Sequence, residues 1–385
     1  MQQQDINLLR IPGPTPVPPS VERAISQPMI GHRGPETKQL IQRIKPRLKK
    51  VFGTEEDVIF IAGSGTAGLE TAAVNVASSG DEVLVLVSGS FGERFAQICE
   101  SLELITHRLD YEWGSAINPK DVEQFLQQNK NIKAVFMTQC ETSTGIQNPI
   151  AEVSEVVHEN SDALVVVDGV SCVGGVVTEM DEWGIDVLVT GSQKAMMLPP
   201  GLTFIAVSKR AWETIDQVES RRFYFDLRKY RDNLAKDSTP YTPAVSLLFG
   251  LDEALRLLEE EGLKNVYDRH ELMMEMTRSA IKALDIPLLT EDDYAAPTVT
   301  AVKPETFAAD ELRSYLKENF NLSLAGGQQK LSGKIFRIGH MGYCSPGDVL
   351  QIISLVEIGL KALGEDITLG QGVKAAQEIY LQRKS

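Results

Sequence analysis

Three short stretches of this 385-residue chain carry residue types and spacings that could do chemistry. The first is Gly63-Ser64-Gly65-Thr66-Ala67-Gly68, between an apolar strand-like run and a helical one. Glycines let the backbone approach a ligand closely. A helix start adds free N–H groups and the positive end of the dipole. With the Ser64 and Thr66 hydroxyls this makes an anion site, most often for phosphate. A tight turn capped by a hydroxyl would read the same way. The second is Asp168, at the carboxyl end of Ala163-Leu-Val-Val-Val-Asp168, the edge where open α/β sheets bind ligands. It could be a metal ligand, a base, a cofactor anchor or a helix cap, and no neighbouring acid or histidine supports the metal. The third is Lys194, after Asp186-Val-Leu-Val-Thr-Gly-Ser-Gln and before Ala195-Met-Met-Leu198. A lysine so placed is partly desolvated, which lowers its pKa and makes the amine a nucleophile for carbonyls. Taken alone, a surface lysine is the commoner case.

Each stretch is weak alone, but the combination is informative. A phosphate cradle, a strand-end Asp and a strand-end Lys 26 residues further on (168 to 194) are what pyridoxal 5′-phosphate requires. The lysine holds the aldehyde, the carboxylate keeps the ring nitrogen protonated so that the ring accepts electrons, and the helix start takes the phosphate. The glycine run also matches G-x-G-x-x-G, so a nicotinamide-dependent oxidoreductase is an alternative. Such a site wants an acid closing the next strand. That strand ends in Val87-Ser88-Gly89, and Asp81 and Glu82 lie at its wrong end.

The elements that must position these residues alternate from about residue 35. Helical apolar spacing covers 37–52, and Leu69, Ala72, Ala73 and Val76 mark a second helix. Short apolar strands are expected at 57–62, 83–87, 133–138, 163–167 and 186–190, with an added strand at 202–207. A helix over 93–102 lies between. All-apolar strands alternating with helices imply an α/β fold with a mostly parallel sheet covered on both faces. Residues 219–243 are polar and proline-terminated, and are expected to form a long excursion. Residues 246–284 read as one or two long helices broken near Gly262. A smaller α/β unit follows, with strands at 298–302 and 334–338 and helices at 309–320 and 347–363, the last announced by Ser345-Pro-Gly. Residues 11–19, IPGPTPVPP, cannot be helix or central strand. They should form an extended arm, either a surface linker or a reach over a site or partner subunit. The expected division is a large domain over 20–255 and a small domain from 256–385 with the arm 1–19.

Composition excludes several classes. With 38 basic and 53 acidic residues the net charge is −15. A field of that sign disfavours nucleic acid and anionic membranes, so any anionic ligand needs a local positive site. Residues 221–231 interleave cations with aromatics, which could stack single strands, but packing or subunit contact fits the overall charge better. The four cysteines and five histidines show no metal-ligand spacing. No signal peptide opens the chain and no apolar run approaches a membrane span, so a soluble cytoplasmic protein is expected.

At Val166-Val-Asp-Gly-Val170, Gly191-Ser-Gln-Lys-Ala195 and Pro199-Pro-Gly201 the chain resembles the class V (fold type I) aminotransferases, nearest to the alanine–glyoxylate and serine–glyoxylate group. The likeness runs from Pro12-Gly-Pro-Thr15 to Arg337-Ile-Gly339. It implies a large cofactor-binding domain with a smaller C-terminal one, and transfer of an amino group from alanine or serine to glyoxylate by a ping-pong route. By resemblance, Lys194 is the covalent lysine and proton shuttle, and Asp168 the ring-nitrogen anchor. Gln193 and Thr142 bond near the ring hydroxyl, Ser64, Gly65 and Thr66 take the phosphate, and Phe91 stacks on the ring. Thr239 and Thr242 reach the neighbour's phosphate in a homodimer, and Arg337 grips the substrate carboxylate, a bidentate task suited to guanidinium. Relatives often carry His at position 66, Trp at 91, and Ser or Tyr at 142 and 239. At 91, 142 and 239 the exchange keeps an aromatic face or a hydroxyl, and at 66 a hydroxyl stands in for an imidazole. A lyase or desulfurase of the same family is the other alternative. Its desulfurase branch places His before the lysine and needs a mobile cysteine, whereas Gln193 and scattered cysteines stand here.

Overall fold

A computed structural model describes residues 7–384. Seven strands build the central sheet: β1 (Ile59–Gly63), β2 (Glu82–Val87), β3 (Ile105–Asp110), β4 (Ala134–Thr138), β5 (Leu164–Asp168), β6 (Val187–Gly191) and β7 (Gly201–Val207). Their order is β1-β7-β6-β5-β4-β2-β3. All neighbours pair parallel except β7, which runs antiparallel to both β1 and β6. Strands β4, β5 and β6 are buried along their whole length, as expected of a sheet with helices on both faces. The expected parallel α/β architecture is therefore present. Strand β3 escapes the apolar pattern because it is the polar, half-exposed edge.

The helix Gly65–Val76 lies close against this sheet. A Cβ at Gly68 would come 2.1 Å from Thr203 Oγ1 and 2.6 Å from Val189 Cγ1, so glycine is what allows the approach. That packing fixes where the helix start points, and the start is the anion turn.

A second sheet joins β8 (Val299–Val302), β9 (Ala325–Gly326) and β10 (Phe336–Gly339) in the order β8-β10-β9, antiparallel throughout. Helix Pro346–Ala362 packs beside it and begins at Ser345 with a full capping box, as the Ser-Pro-Gly signal implies. The break near Gly262 separates helices Val245–Glu261 and Leu263–Ala283. The latter bridges two apolar clusters: Val266 belongs to the cluster around the large sheet, whereas Leu272, Met273 and Met276 belong to that of the second sheet.

The proline-rich arm is not a surface linker. Leu8–Leu9 pairs parallel with Leu322–Ser323, Pro12 and Thr15 are buried, and Pro19 opens a short helix, Pro19–Ile25, at a position where proline costs no hydrogen bond. The 219–243 excursion holds one helix the sequence reading missed, Leu227–Leu234. It is short and highly charged, and its start is fixed by the Asp226 side chain accepting from Arg228 N. Among the described residues no helix is long and apolar enough to cross a membrane.

Candidate active site

The site lies along the carboxyl edge of the large sheet. Parallel strands β1, β2, β4, β5 and β6 deliver Ser64, Phe91, Thr142, Asp168 and Lys194 from their carboxyl ends or the loops just beyond. Thr138 faces Asp168 and Asp168 faces Val189 in register, so β5 sits centrally between the ring-side loops.

Lys194 is 7% exposed, which answers whether it is a surface lysine. Its Nζ donates to the carbonyl of Pro12, and the arm is pinned over it by Thr15 N to Gln193 O at 3.1 Å and Thr15 Oγ1 to Lys194 O at 3.0 Å. Gly13 makes the close passage possible: a Cβ there would lie 2.5 Å from Lys194 Cδ and 2.8 Å from its Nζ. Burial lowers the amine to about 8, with Arg337 and Arg94 adding to the effect and Cys140 and Asp168 opposing it. At neutral pH a useful fraction of such an amine is free to take a proton or attack a carbonyl.

Asp168 is likewise buried, and burial raises its carboxyl to about 6 against the Val170 N–H, which donates to Oδ1 at 2.9 Å. Its loop closes on the anion turn, where a Cβ at Gly65 would meet Val170 Cγ2 at 2.9 Å. At the turn itself Ser64 caps helix Gly65–Val76, accepting from Ala67 N at 3.4 Å. Thr66 Oγ1 accepts from Arg94 at 3.4 Å.

The loop after β4 brings in a group that the sequence pattern did not single out. Glu141 is fully buried and accepts from Phe91 N and Gly92 N at 3.0 Å, and from Ser143 N and Oγ. It therefore fixes the start of helix Ser90–Ser101, which carries Phe91, and the Thr142 loop together. Thr142 Oγ1 hydrogen-bonds Ser171 Oγ, and its carbonyl accepts from Arg337 at 2.8 Å. Arg337, in β10, is 4% exposed, and its other bonds go to the carbonyl of Gly326 at 3.0 and 2.8 Å. Among the described residues no carboxylate forms an ion pair with it; burial lowers its guanidinium to about 10, and the buried Glu141 opposes that lowering from a longer range. Its forked N–H groups are left facing backbone carbonyls only.

Gln193 precedes the lysine with its Oε1 buried and without a hydrogen-bond partner, so it is ready for a ligand donor. Thr239 and Thr242 stand apart. The Thr239 hydroxyl donates to Tyr241 O at 2.7 Å, and Thr242 is exposed. Among the described residues neither bonds another candidate. Sequence reasoning missed Arg94, Ser171 and the Pro12 carbonyl, none of which sits in a strand-end motif of its own.

The family description of class-V aminotransferases matches residues 13–343. The chain is 42% identical over 98% of its length, and 99% of the relative's, to the small subunit of a soluble hydrogenase from Synechococcus sp.. It is 36% identical to the serine–glyoxylate aminotransferase of Methylorubrum extorquens, covering 98% and 96% of the two chains. In structure it is similar to ureidoglycine–glyoxylate aminotransferase from Bacillus subtilis, with a TM-score of 0.92 over 99% of both chains at 30% identity. The chain belongs to the class-V aminotransferases and is a transaminase. Enzymes of this family and fold depend on pyridoxal 5′-phosphate. The residues present fit that group: a desolvated lysine, a buried carboxyl, an orphaned Gln193 oxygen and a glycine-bearing helix start converge on one sheet edge.

Proposed function

We propose that this transaminase moves the amino group of a small amino acid, alanine or serine, to glyoxylate, releasing a 2-oxo acid and leaving glycine. The observation that carries the substrate class is Arg337: a buried guanidinium, held only by backbone carbonyls, awaits a carboxylate, and both amino and oxo acids bring one. The relative named for serine and glyoxylate supports the acceptor.

Bound pyridoxal phosphate supplies the aldehyde and the electron-accepting ring. Lys194 Nζ in its neutral form would take the donor's α-proton and pass it on within the site. Its depressed pKa keeps it able to do both near neutrality. Asp168 would hold a proton at the ring nitrogen; burial raises its carboxyl to about 6, and a cationic ring beside it would favour the ionised form. Gln193 and Thr142 would hold the ring hydroxyl, Phe91 would stack on the ring, and Ser64, Gly65 and Thr66 would receive the phosphate. The arm at Pro12–Gly13 covers Lys194 and excludes water from its amine. Half-reactions sharing one site require ping-pong kinetics.

We further propose a cytoplasmic homodimer in which Thr239 and Thr242, which bond no other candidate among the described residues, complete the neighbour's phosphate site. The division into 20–255 and 256–385 with the arm belongs to the same proposal; two apolar clusters support two units, with Leu258 and Val266 still joined to that of the large sheet. A donor–acceptor panel on the purified holoenzyme tests the reading. Alanine or serine with glyoxylate should give glycine, with parallel lines in double-reciprocal plots. Sulfide or ammonia released steadily without an acceptor, and no glycine, would replace transfer by elimination.

A further inference from the structure

A phosphate ester brings up to two negative charges into a chain of net charge −15, beside two buried carboxyl groups, Asp168 and Glu141. The turn at Ser64–Ala67 meets it with N–H groups and hydroxyls alone. One cation stands next to that turn. Arg94 lies one helical turn beyond Phe91 and donates to Thr66 Oγ1 at 3.4 Å, with its guanidinium carbon 4.7 Å from the centre of the Phe91 ring. No ion pair among the described residues engages it. The adjacent Glu93 is occupied by Arg108, at 3.2 and 2.6 Å. Its charge reaches the other end of the site too, favouring ionised Asp168 and neutral Lys194.

Resting on the transaminase reading, we propose that Arg94 is the counter-charge of the cofactor phosphate, bridging the anion turn to the ring that stacks on the cofactor. A guanidinium suits both contacts: its edge donates to phosphate oxygens while its face lies on the aromatic. The same cation compensates locally for the repulsive field of the whole chain.

The test uses the full-length apo-protein, titrated with pyridoxal phosphate and separately with pyridoxal, which lacks the phosphate. Arg94→Gln should weaken pyridoxal phosphate about 10- to 100-fold, the range of one charge-assisted hydrogen bond. Pyridoxal should change by less than about twofold, and the salt dependence of cofactor binding should flatten. Arg94→Lys, which keeps the charge, should lose less than Arg94→Gln. Equal losses for both ligands would assign Arg94 to holding Phe91 or the fold. Unchanged affinity for pyridoxal phosphate, or Arg94→Lys as damaging as Arg94→Gln, would likewise overturn the proposal. Wild-type protein that binds neither ligand would defeat the transaminase reading itself.

Discussion

Lys194 makes a prediction about stability as well as reactivity. Its amine is buried and lowered to about 8 from an ordinary 10.5. In the apo chain below pH 8 the amine is charged both folded and unfolded, and the fold holds that charge where it is poorly solvated. As pH rises through 8 the folded amine releases its proton while the unfolded one keeps it. The unfolded state then binds more protons, so stability rises with pH until the unfolded lysine titrates near 10.5. The whole interval is worth roughly 3 kcal/mol, and between about pH 7 and pH 9.5 the linkage gives about 2 kcal/mol. Lys194→Met removes the titration while keeping length and apolar stem. It also removes the bond to Pro12 O, so the readout is the pH dependence of the difference, not its size at one pH. Urea unfolding of both apo chains, followed by circular dichroism, should show wild type gaining about 2 kcal/mol on the variant between those pH values. A difference that stays flat would mean the amine is not desolvated, and the reasoning about its reactivity would fall with it.

Other perturbations follow from the same geometry. Arg337→Lys keeps a charge but loses the fork bonded to Gly326 O and Thr142 O, so KM for amino and oxo acids should rise roughly 10- to 100-fold, with a smaller effect on kcat; steady-state kinetics at saturating cofactor checks this. Gly13→Ala puts a Cβ 2.5 Å from Lys194 Cδ at a backbone φ of +107°, and should cost about 1–3 kcal/mol in urea unfolding and slow covalent loading of the cofactor. Gly68→Ala should destabilise by about 1–3 kcal/mol through Thr203 and Val189 and shift the anion turn that this packing aims, with a melting shift as the readout. Asp168→Asn still accepts from Val170 N, so the fold should hold while kcat falls on the order of 10²-fold; an unchanged kcat would remove the carboxylate from the chemistry.

The sheet was legible because β2, β4, β5 and β6 are buried on both faces and so read as unbroken apolar runs. Edge strand β3, with His107 and Arg108 in it, carries no such run and was missed. So were the two-residue strands, which are made by tertiary pairing rather than by local pattern. At the site, residues at strand ends were found because the topology gathers strand ends: Asp168 and Lys194 are central examples. Glu141 stands next to Thr142, yet its task depends on N–H groups from Phe91 and Gly92, some fifty positions away, which no local spacing reveals. Arg337 lies in the strand expected at 334–338, an awkward place for a charge, and its carbonyl-only bonding gives that awkwardness a purpose. The arm showed its proline content but not its destination, because the contact with Lys194 spans 182 residues.

The proposed chemistry turns on one nitrogen atom, Lys194 Nζ. Purified holoenzyme treated with borohydride, digested and mapped by mass spectrometry should show a single pyridoxyl-phosphate adduct, on the peptide containing Lys194. An adduct on another lysine, or none on a protein that still transaminates, would contradict it.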